Sequence, residues 1–85
     1  MRVSVLFFAR LRELAGCHEW VATLAEPATV ADAWRAARTA HPALEPFAGS
    51  VSAAINTDFA PMTSALDDGD TVAFLPPVSG GALER

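Results

Sequence analysis

The chain has 85 residues, of which 52% are hydrophobic and 19% charged, a length and composition typical of one globular domain. Disorder is excluded, because disordered segments are poor in apolar residues, and the length leaves no room for an active-site cleft between two domains. The net charge is −4 and all six basic residues are arginine, so the positive surface of a nucleic-acid-binding protein is not expected.

Neither a membrane span nor an exported, disulfide-bonded protein is predicted. The longest apolar stretch covers residues 5–9, far below the roughly 20 residues that a membrane helix needs. Cys17 is the only cysteine and cannot form an internal disulfide, and no charged leader precedes a long apolar run. We therefore expect a cytoplasmic protein that binds neither membrane nor nucleic acid.

The first part of the chain predicts a strand, a short helix and a second strand. Residues 2–8 carry apolar side chains on both alternating faces, as a buried strand does. Residues 9–15 predict one or two helical turns that end at Gly16. Residues 18–24 alternate again and are expected to pair with the first strand as a hairpin.

A longer amphipathic helix is predicted over residues 30–40. Thr29 and Asp32 have the spacing that caps a helix start, and apolar residues repeat at helical spacing, so that one stripe faces the core. Pro42 prevents the helix from continuing, because proline disfavours the helical conformation of the residue before it. Trp20 and Trp34 are assigned to core or half-buried positions and not to a function.

The second half of the chain predicts three more strands. Residues 51–55 form a strand, residues 56–58 a turn, and Phe59 lies in a short strand. An acidic turn over residues 67–70 precedes the last strand, residues 71–75. This order of elements describes an α+β fold with one main helix across one face of a mixed sheet. A β-grasp fold satisfies it and places the first and last strands parallel at the centre.

The end of the sequence is its most informative segment. After the last strand come two prolines, two further residues and two glycines, followed by four residues. Pro76 and Pro77 fix φ and cannot join a helix or a ladder, whereas Gly80 and Gly81 carry no side chain. A chain end that is stiff at the prolines and has no side chains at the glycines can enter a narrow channel of another protein. A featureless terminus is the alternative.

Three segments resemble the small subunit of molybdopterin synthase, a family often called MoaD within the ubiquitin-like sulfur carriers. They are residues 5–16, VLFFARLRELAG, residues 53–56, AAIN, and residues 68–81, DGDTVAFLPPVSGG. The last is the most specific, because an acidic turn, a strand, two prolines and two glycines rarely coincide in this register. The resemblance covers nearly the whole chain and implies a β-grasp fold.

The resemblance implies a sulfur carrier with a C-terminal thiocarboxylate for molybdenum cofactor biosynthesis. In this family an ATP-dependent adenylating enzyme, similar to ubiquitin activators, activates the terminal glycine, here Gly81, before sulfur is added. The large catalytic subunit of molybdopterin synthase then uses two successive sulfur transfers to form the dithiolene of molybdopterin. The chain would supply a reactant and not an active site, and would bind no cofactor itself.

The chain departs from this family at its end. The family's working form stops at the second glycine, whereas residues 82–85 follow Gly81 here, so that Gly81 has no free carboxylate as encoded. We expect a sulfur-carrier domain over residues 1–81 and removal of residues 82–85 by a processing protease before activation. The reason is that the Arg85 side chain could not follow a channel sized for glycine.

Strand alternation predicts an apolar surface on the sheet face opposite the helix. Leu6 and Phe8 of the first strand and Ala73 and Leu75 of the last point there, with Phe59 nearby. A contiguous apolar patch on a small soluble protein usually marks a binding site, and core packing is the alternative. By resemblance, the partner-binding residues are Phe8, Arg12, Phe59, Leu75, Pro76, Pro77, Val78, Ser79 and Gly80.

No metal site is predicted. Cys17 lies beside His18, but the four-ligand set of a zinc site is missing. Asp67, Asp68 and Asp70 lack the twelve-residue ligand pattern of a calcium loop. Their spacing is typical of a solvated turn.

Three other functions stay open at this point. A sulfur carrier for thiamine or cysteine synthesis would share the fold, the activation and the tail, and would differ in its downstream acceptor. A ubiquitin-like modifier would form isopeptide bonds with lysines of other proteins. A non-activated interaction module would keep its last four residues permanently.

Overall fold

A computed structural model describes residues 1–77 as an α+β fold with one long helix lying across a sheet. The strands are β1 (Arg2–Phe7), β2 (Glu19–Thr23), β3 (Ala28–Thr29), β4 (Ser52–Ile55), β5 (Asp58–Ala60), β6 (Ala65–Leu66) and β7 (Thr71–Leu75). The helices are α1 (Arg10–Ala15), α2 (Val30–Ala40) and a 3-10 helix (Pro42–Phe47). None of the helices in this part of the chain is long and apolar enough to cross a membrane.

The main sheet has five strands in the order β2-β1-β7-β4-β5. β1 and β7 are parallel neighbours at its centre, where Val5 lies opposite Val72, and the other neighbouring strands are antiparallel. Parallel neighbours require a crossover connection, which here carries α2 across one face. This is the predicted β-grasp topology, and the predicted hairpin of β1 and β2 is confirmed with it.

The core lies between this sheet and α2. From the sheet, Phe7 and Phe74 are completely buried, and from the helix Trp34 is 2% exposed. The rings of Trp34 and Phe74 are 4.8 Å apart. Burying a side chain of this kind contributes about 1.5–3 kcal/mol to stability. The core assignment of Trp34 is confirmed, and Trp20 is half-buried against the same cluster.

α2 has the predicted bounds because both of its ends are specified locally. The N–H of Thr29 donates to the Asp32 carboxylate at 2.8 Å, and the N–H of Asp32 donates to the Thr29 hydroxyl at 3.4 Å, which is a capping box. The Thr29 backbone N–H holds the pKa of Asp32 below its usual value against the opposing effect of desolvation, aided by the Thr29 hydroxyl and by Arg35. At the other end, the N–H of His41 donates to the Ala37 carbonyl at 2.8 Å.

Three elements are not predicted from the sequence, namely β3, β6 and the 3-10 helix. β3 and β6 form a separate two-stranded sheet, in which Ala28 lies opposite Leu66. Strands of two residues are too short to carry an alternating pattern. The 3-10 helix begins at Pro42, which ends α2 as predicted, and it buries Leu44 completely in the core. The remaining differences are single residues at strand ends and at the start of α1, which begins at Arg10.

Candidate functional site

The sheet face turned away from α2, here called the outer face, carries a continuous row of apolar side chains. Leu6 lies opposite Ala73 across β1 and β7. Ala73 lies opposite Ala54 on β4, and Ala54 lies opposite Phe59 on β5. Because successive side chains of a strand point to opposite faces, Leu6 and Ala73 alternate with buried core residues. The predicted alternation of both central strands is confirmed.

This row is part of an open groove of about 540 Å³. The two alanines are small, so they leave space between Leu6 on one side and Phe59 on the other. The groove brings together three of the predicted partner-binding residues. It is lined by Leu6, Phe8, Ala54, Asn56, Thr57, Phe59, Thr71, Ala73 and Leu75.

Within residues 1–77, the large hydrophobic side chains that are exposed all lie on the outer face. Phe59 is 78% exposed, Val21 45% and Phe8 39%. Val21 lies opposite Ser4 of β1, whose neighbours Val3 and Val5 point to the core. Core packing is therefore wrong as an interpretation of Phe8 and Phe59. Exposed apolar side chains gathered on one face are typical of a binding surface.

The short helix α1 follows Phe8 and exposes Arg12. The carbonyl of Ala9 accepts the N–H of Arg12 at 3.1 Å, and the helix ends at Gly16 in a left-handed conformation with φ 76°, as predicted. Leu11 anchors the helix in the core. Arg12 forms no ion pair within the described residues and does not line the groove, so the structure does not group it with the apolar partner-binding residues.

The central strand β7 leads directly into the predicted tail. The carbonyl of Phe74 accepts the N–H of Phe8 at 3.2 Å, which continues the contact between β1 and β7 beyond the end of β1. Leu75 lines the groove, Pro76 is half-buried and Pro77 is exposed. The predicted tail residues Val78, Ser79, Gly80 and Gly81, and the extension over residues 82–85, lie outside the described part of the chain.

Hydrogen bonds between the β4–β5 turn and the acidic turn fix the end of the groove that is lined by Asn56 and Thr71. The N–H of Asn56 donates to the Thr71 carbonyl at 2.8 Å, and its side-chain amide donates to Asp70 at 3.0 Å. The carboxylate of Asp68 accepts the N–H of Arg2 at 2.7 Å. Two carboxylates of the predicted acidic turn thus hold neighbouring segments in place.

Other polar groups do not form a second site in residues 1–77. No group of three or more histidine, cysteine, aspartate and glutamate side chains is placed there to hold a metal ion. Cys17 is half-buried against the core. The ring of its neighbour His18 lies 6.1 Å from that of Phe8.

Comparison with known proteins identifies the family. The sequence profile of the ThiS family matches residues 5–81. The chain belongs to the ThiS family. The molybdopterin synthase sulfur carrier subunit of Chlamydomonas reinhardtii is 40% identical over 83 residues, which cover 95% of this chain and 100% of that relative. The resemblance to molybdopterin synthase small subunits is thereby confirmed.

Solved structures of other proteins share the fold. The small archaeal modifier protein 1 of Haloferax volcanii is 34% identical, with a TM-score of 0.85 over 95% of this chain and all of that chain. A structure from Helicobacter pylori contains a complex of subunits 1 and 2 of the molybdopterin-converting factor, and its matching chain is 27% identical with a TM-score of 0.67. That match covers 95% of this chain and 100% of the other.

Four groove residues are not predicted from the sequence, namely Ala54, Asn56, Thr57 and Thr71. Alanine, asparagine and threonine give no strong apolar signal, and their place in the groove depends on the pairing of β4 with β7. The motif AAIN of residues 53–56 could have predicted two of these groove residues, because strand alternation puts Ala54 and Asn56 on the same side.

Proposed function

We propose that this chain is the small subunit of a molybdopterin synthase, a sulfur carrier that donates sulfur from a thiocarboxylate on Gly81 for the dithiolene of molybdopterin. The carrying observation is the exposed groove of the outer face, beside which β7 leads into Pro76 and Pro77. A partner seated on this face would receive the tail at its edge. The full-length similarity to molybdopterin synthase sulfur carrier subunits supports the same function.

Activation is needed because a carboxylate is a poor electrophile. In the proposed reaction, an adenylating enzyme joins the Gly81 carboxylate to the AMP moiety of ATP and releases pyrophosphate. The acyl-adenylate then offers AMP as a good leaving group. A donor of sulfide-level sulfur attacks the acyl carbon, so that a C–S bond forms, the C–O bond to AMP breaks, and a thiocarboxylate remains. ATP is used by that enzyme, and this chain contributes the reacting carboxyl group and the surface by which it is held.

The proposed partner is the large catalytic subunit of molybdopterin synthase, docked on the outer face. Phe59 and Phe8 would provide the apolar contacts, because exposed aromatic residues in a groove are typical anchors of an interface. Arg12, which is exposed on α1 but does not line the groove, would meet carboxylates or carbonyls of the partner outside it. The Helicobacter pylori complex of subunits 1 and 2 supports a partner of this kind, since its matching chain shares this fold.

We further propose that residues 82–85 are removed before activation and that the protein acts in the cytoplasm. The match to the ThiS family ends at Gly81, which agrees with a working domain over residues 1–81. Pro76, Pro77, Val78, Ser79 and Gly80 would then form the arm that carries the thiocarboxylate into the catalytic subunit.

Mass spectrometry of the chain purified from its own cells tests this proposal. We expect a polypeptide that ends at Gly81, with a fraction heavier by the difference between one sulfur and one oxygen atom. Gly81→Val should abolish that fraction without unfolding the domain, because a bulky side chain would obstruct the activating enzyme's channel. The matched control is Gly49→Ala, since Gly49 lies in open space, and this variant should be loaded normally.

Two results would overturn the proposal. The first is a full-length chain that carries the thiocarboxylate on Arg85. The second is undiminished sulfur loading of the Gly81→Val variant. If loading is normal but the carrier copurifies with a thiamine or cysteine biosynthetic enzyme, the activation scheme holds and the acceptor is wrong.

A ubiquitin-like modifier is a second candidate, favoured by the similarity to the small archaeal modifier protein 1 of Haloferax volcanii. Such a modifier would appear on blots as many covalent adducts with other proteins. The chain contains no lysine of its own, so adducts of this chain with itself through lysine are excluded. A carrier that functions only in sulfur transfer should give a single band.

A further inference from the structure

Thr57 has a backbone conformation that favours glycine. It follows Asn56 in the two-residue turn between β4 and β5, where Ile55 lies opposite Asp58. Both turn residues have positive φ, 48° for Asn56 and 81° for Thr57. Hairpin turns of this kind prefer Asn followed by Gly, and a β-branched residue at positive φ is strained. The chain thus has a threonine where glycine would fold more easily.

The two turn residues differ in how their side chains are used. The Asn56 amide donates to Asp70 at 3.0 Å and accepts the N–H of Thr71 at 3.0 Å, and asparagine tolerates positive φ better than other residues. The Thr57 hydroxyl forms no hydrogen bond with another group in residues 1–77. Folding therefore explains Asn56 but does not explain Thr57.

The position of Thr57 on the outer face suggests another role for it. It is exposed and lines the groove together with Phe59. The groove is polar at this end, where Asn56 and Thr71 also line it, and apolar along its row of alanines. Interfaces commonly combine an apolar centre with a hydrogen-bonding rim. Strained backbone residues cluster at binding sites, where their contribution to function offsets their cost to stability.

We propose that Thr57 is a partner-contact residue whose hydroxyl hydrogen-bonds a polar group of the large subunit at the rim of the groove. The inference rests on the proposed function, since it assumes the same partner on the same face. It assigns opposite effects to the Thr57 side chain, which lowers the stability of the free chain and raises its affinity for the partner.

Thr57→Gly in the full-length chain tests this opposition. Glycine relieves the strain, so we expect the melting temperature to rise by a few degrees. The affinity for the purified large subunit from the same organism should fall about threefold to tenfold, the effect of one uncharged hydrogen bond. The matched control is Thr63→Gly, at an exposed threonine outside the groove, which should leave the affinity unchanged.

Two conservative variants separate the hydroxyl from the shape of the side chain. Thr57→Ser keeps the hydroxyl and should bind as the unaltered chain does. Thr57→Val keeps the branched shape without the hydroxyl and should lose as much affinity as Thr57→Gly. Unchanged binding by either the Gly or the Val variant would overturn the proposal.

Phe59→Ala, measured in the same titration, separates a failure of the Thr57 assignment from a failure of the proposed docking surface. If Phe59→Ala weakens binding and Thr57→Gly does not, only the assignment of Thr57 is wrong. If Phe59→Ala binds as tightly as the unaltered chain, the outer face is not the docking surface. In that case the proposed docking mode and the assignment of Thr57 are both overturned.

Discussion

The two faces of the central strands carry similar side chains with different surroundings. On the inner face, Phe7 and Phe74 are fully buried under α2, whereas on the outer face Phe8 stays 39% exposed. A sheet covered on one side normally alternates apolar with polar residues. Here the outer side also carries a row of apolar residues, and the helix covers only the inner side. When a chain has more apolar sheet surface than its helices can cover, the excess indicates a face kept for a partner.

The largest effect on stability is expected from a substitution in the core on the inner face. Phe74→Ala removes a completely buried ring that packs on Trp34, so the free energy of unfolding should fall by about 3–5 kcal/mol. Urea denaturation followed by tryptophan fluorescence measures the change. If that variant does not fold, Phe74→Leu should give a smaller loss of the same sign, and a loss below about 0.5 kcal/mol for both would contradict the core assignment.

The outer face should respond in the opposite way. Phe59→Ala removes a side chain that is 78% exposed, so stability should change by no more than about 0.5 kcal/mol. The affinity for the large subunit should fall about tenfold or more, because an exposed ring in a groove is a typical interface anchor. Isothermal titration calorimetry measures the affinity and urea denaturation the stability.

Val21→Ser is the matched control for Phe59→Ala. Val21 is exposed on the outer face but does not line the groove, so its loss should affect the affinity less. Equal losses from both variants would mean that the partner contacts the whole face and not the groove.

The smallest effect is expected at the start of α2, on the covered side. The folded-state pKa of Asp32 is lowered mainly by the hydrogen bond that its carboxylate accepts from the Thr29 backbone N–H. Ionised Asp32 therefore stabilises the fold above its unfolded pKa of about 3.9, and this stabilisation is lost as the pH falls through the lower folded-state pKa. Asp32→Asn should be less stable than the unaltered chain at pH 7, and the difference should shrink in more acidic solution.

Thermal melts across an acidic pH series measure that difference. Binding to the large subunit should be the same for both chains at pH 7, because α2 lies behind the sheet. A difference in melting temperature that is constant with pH would mean that ionisation of Asp32 does not stabilise the helix.

Local signals predict much of this molecule from its sequence. Thr29 and Asp32 predict the start of α2, and Pro42 predicts its end. The alternation of side chains in β1 and β7 predicts both the core and the outer face. The groove needs more than local signals, because Ala54 and Ala73 meet through the register of β4 and β7. Thr57 is missed for another reason, since the composition of its turn does not reveal the strain.

The central place of β7 also affects when the domain can fold. β1 and β4 both need β7 as a neighbour, so the sheet cannot be completed before residue 75 has been synthesised. Such pairing between distant segments forms slowly and late. A nascent chain on the ribosome would therefore keep the edge of β1 unpaired until β7 has emerged. The groove of the outer face, which β7 helps to line, would exist only in molecules that have finished folding.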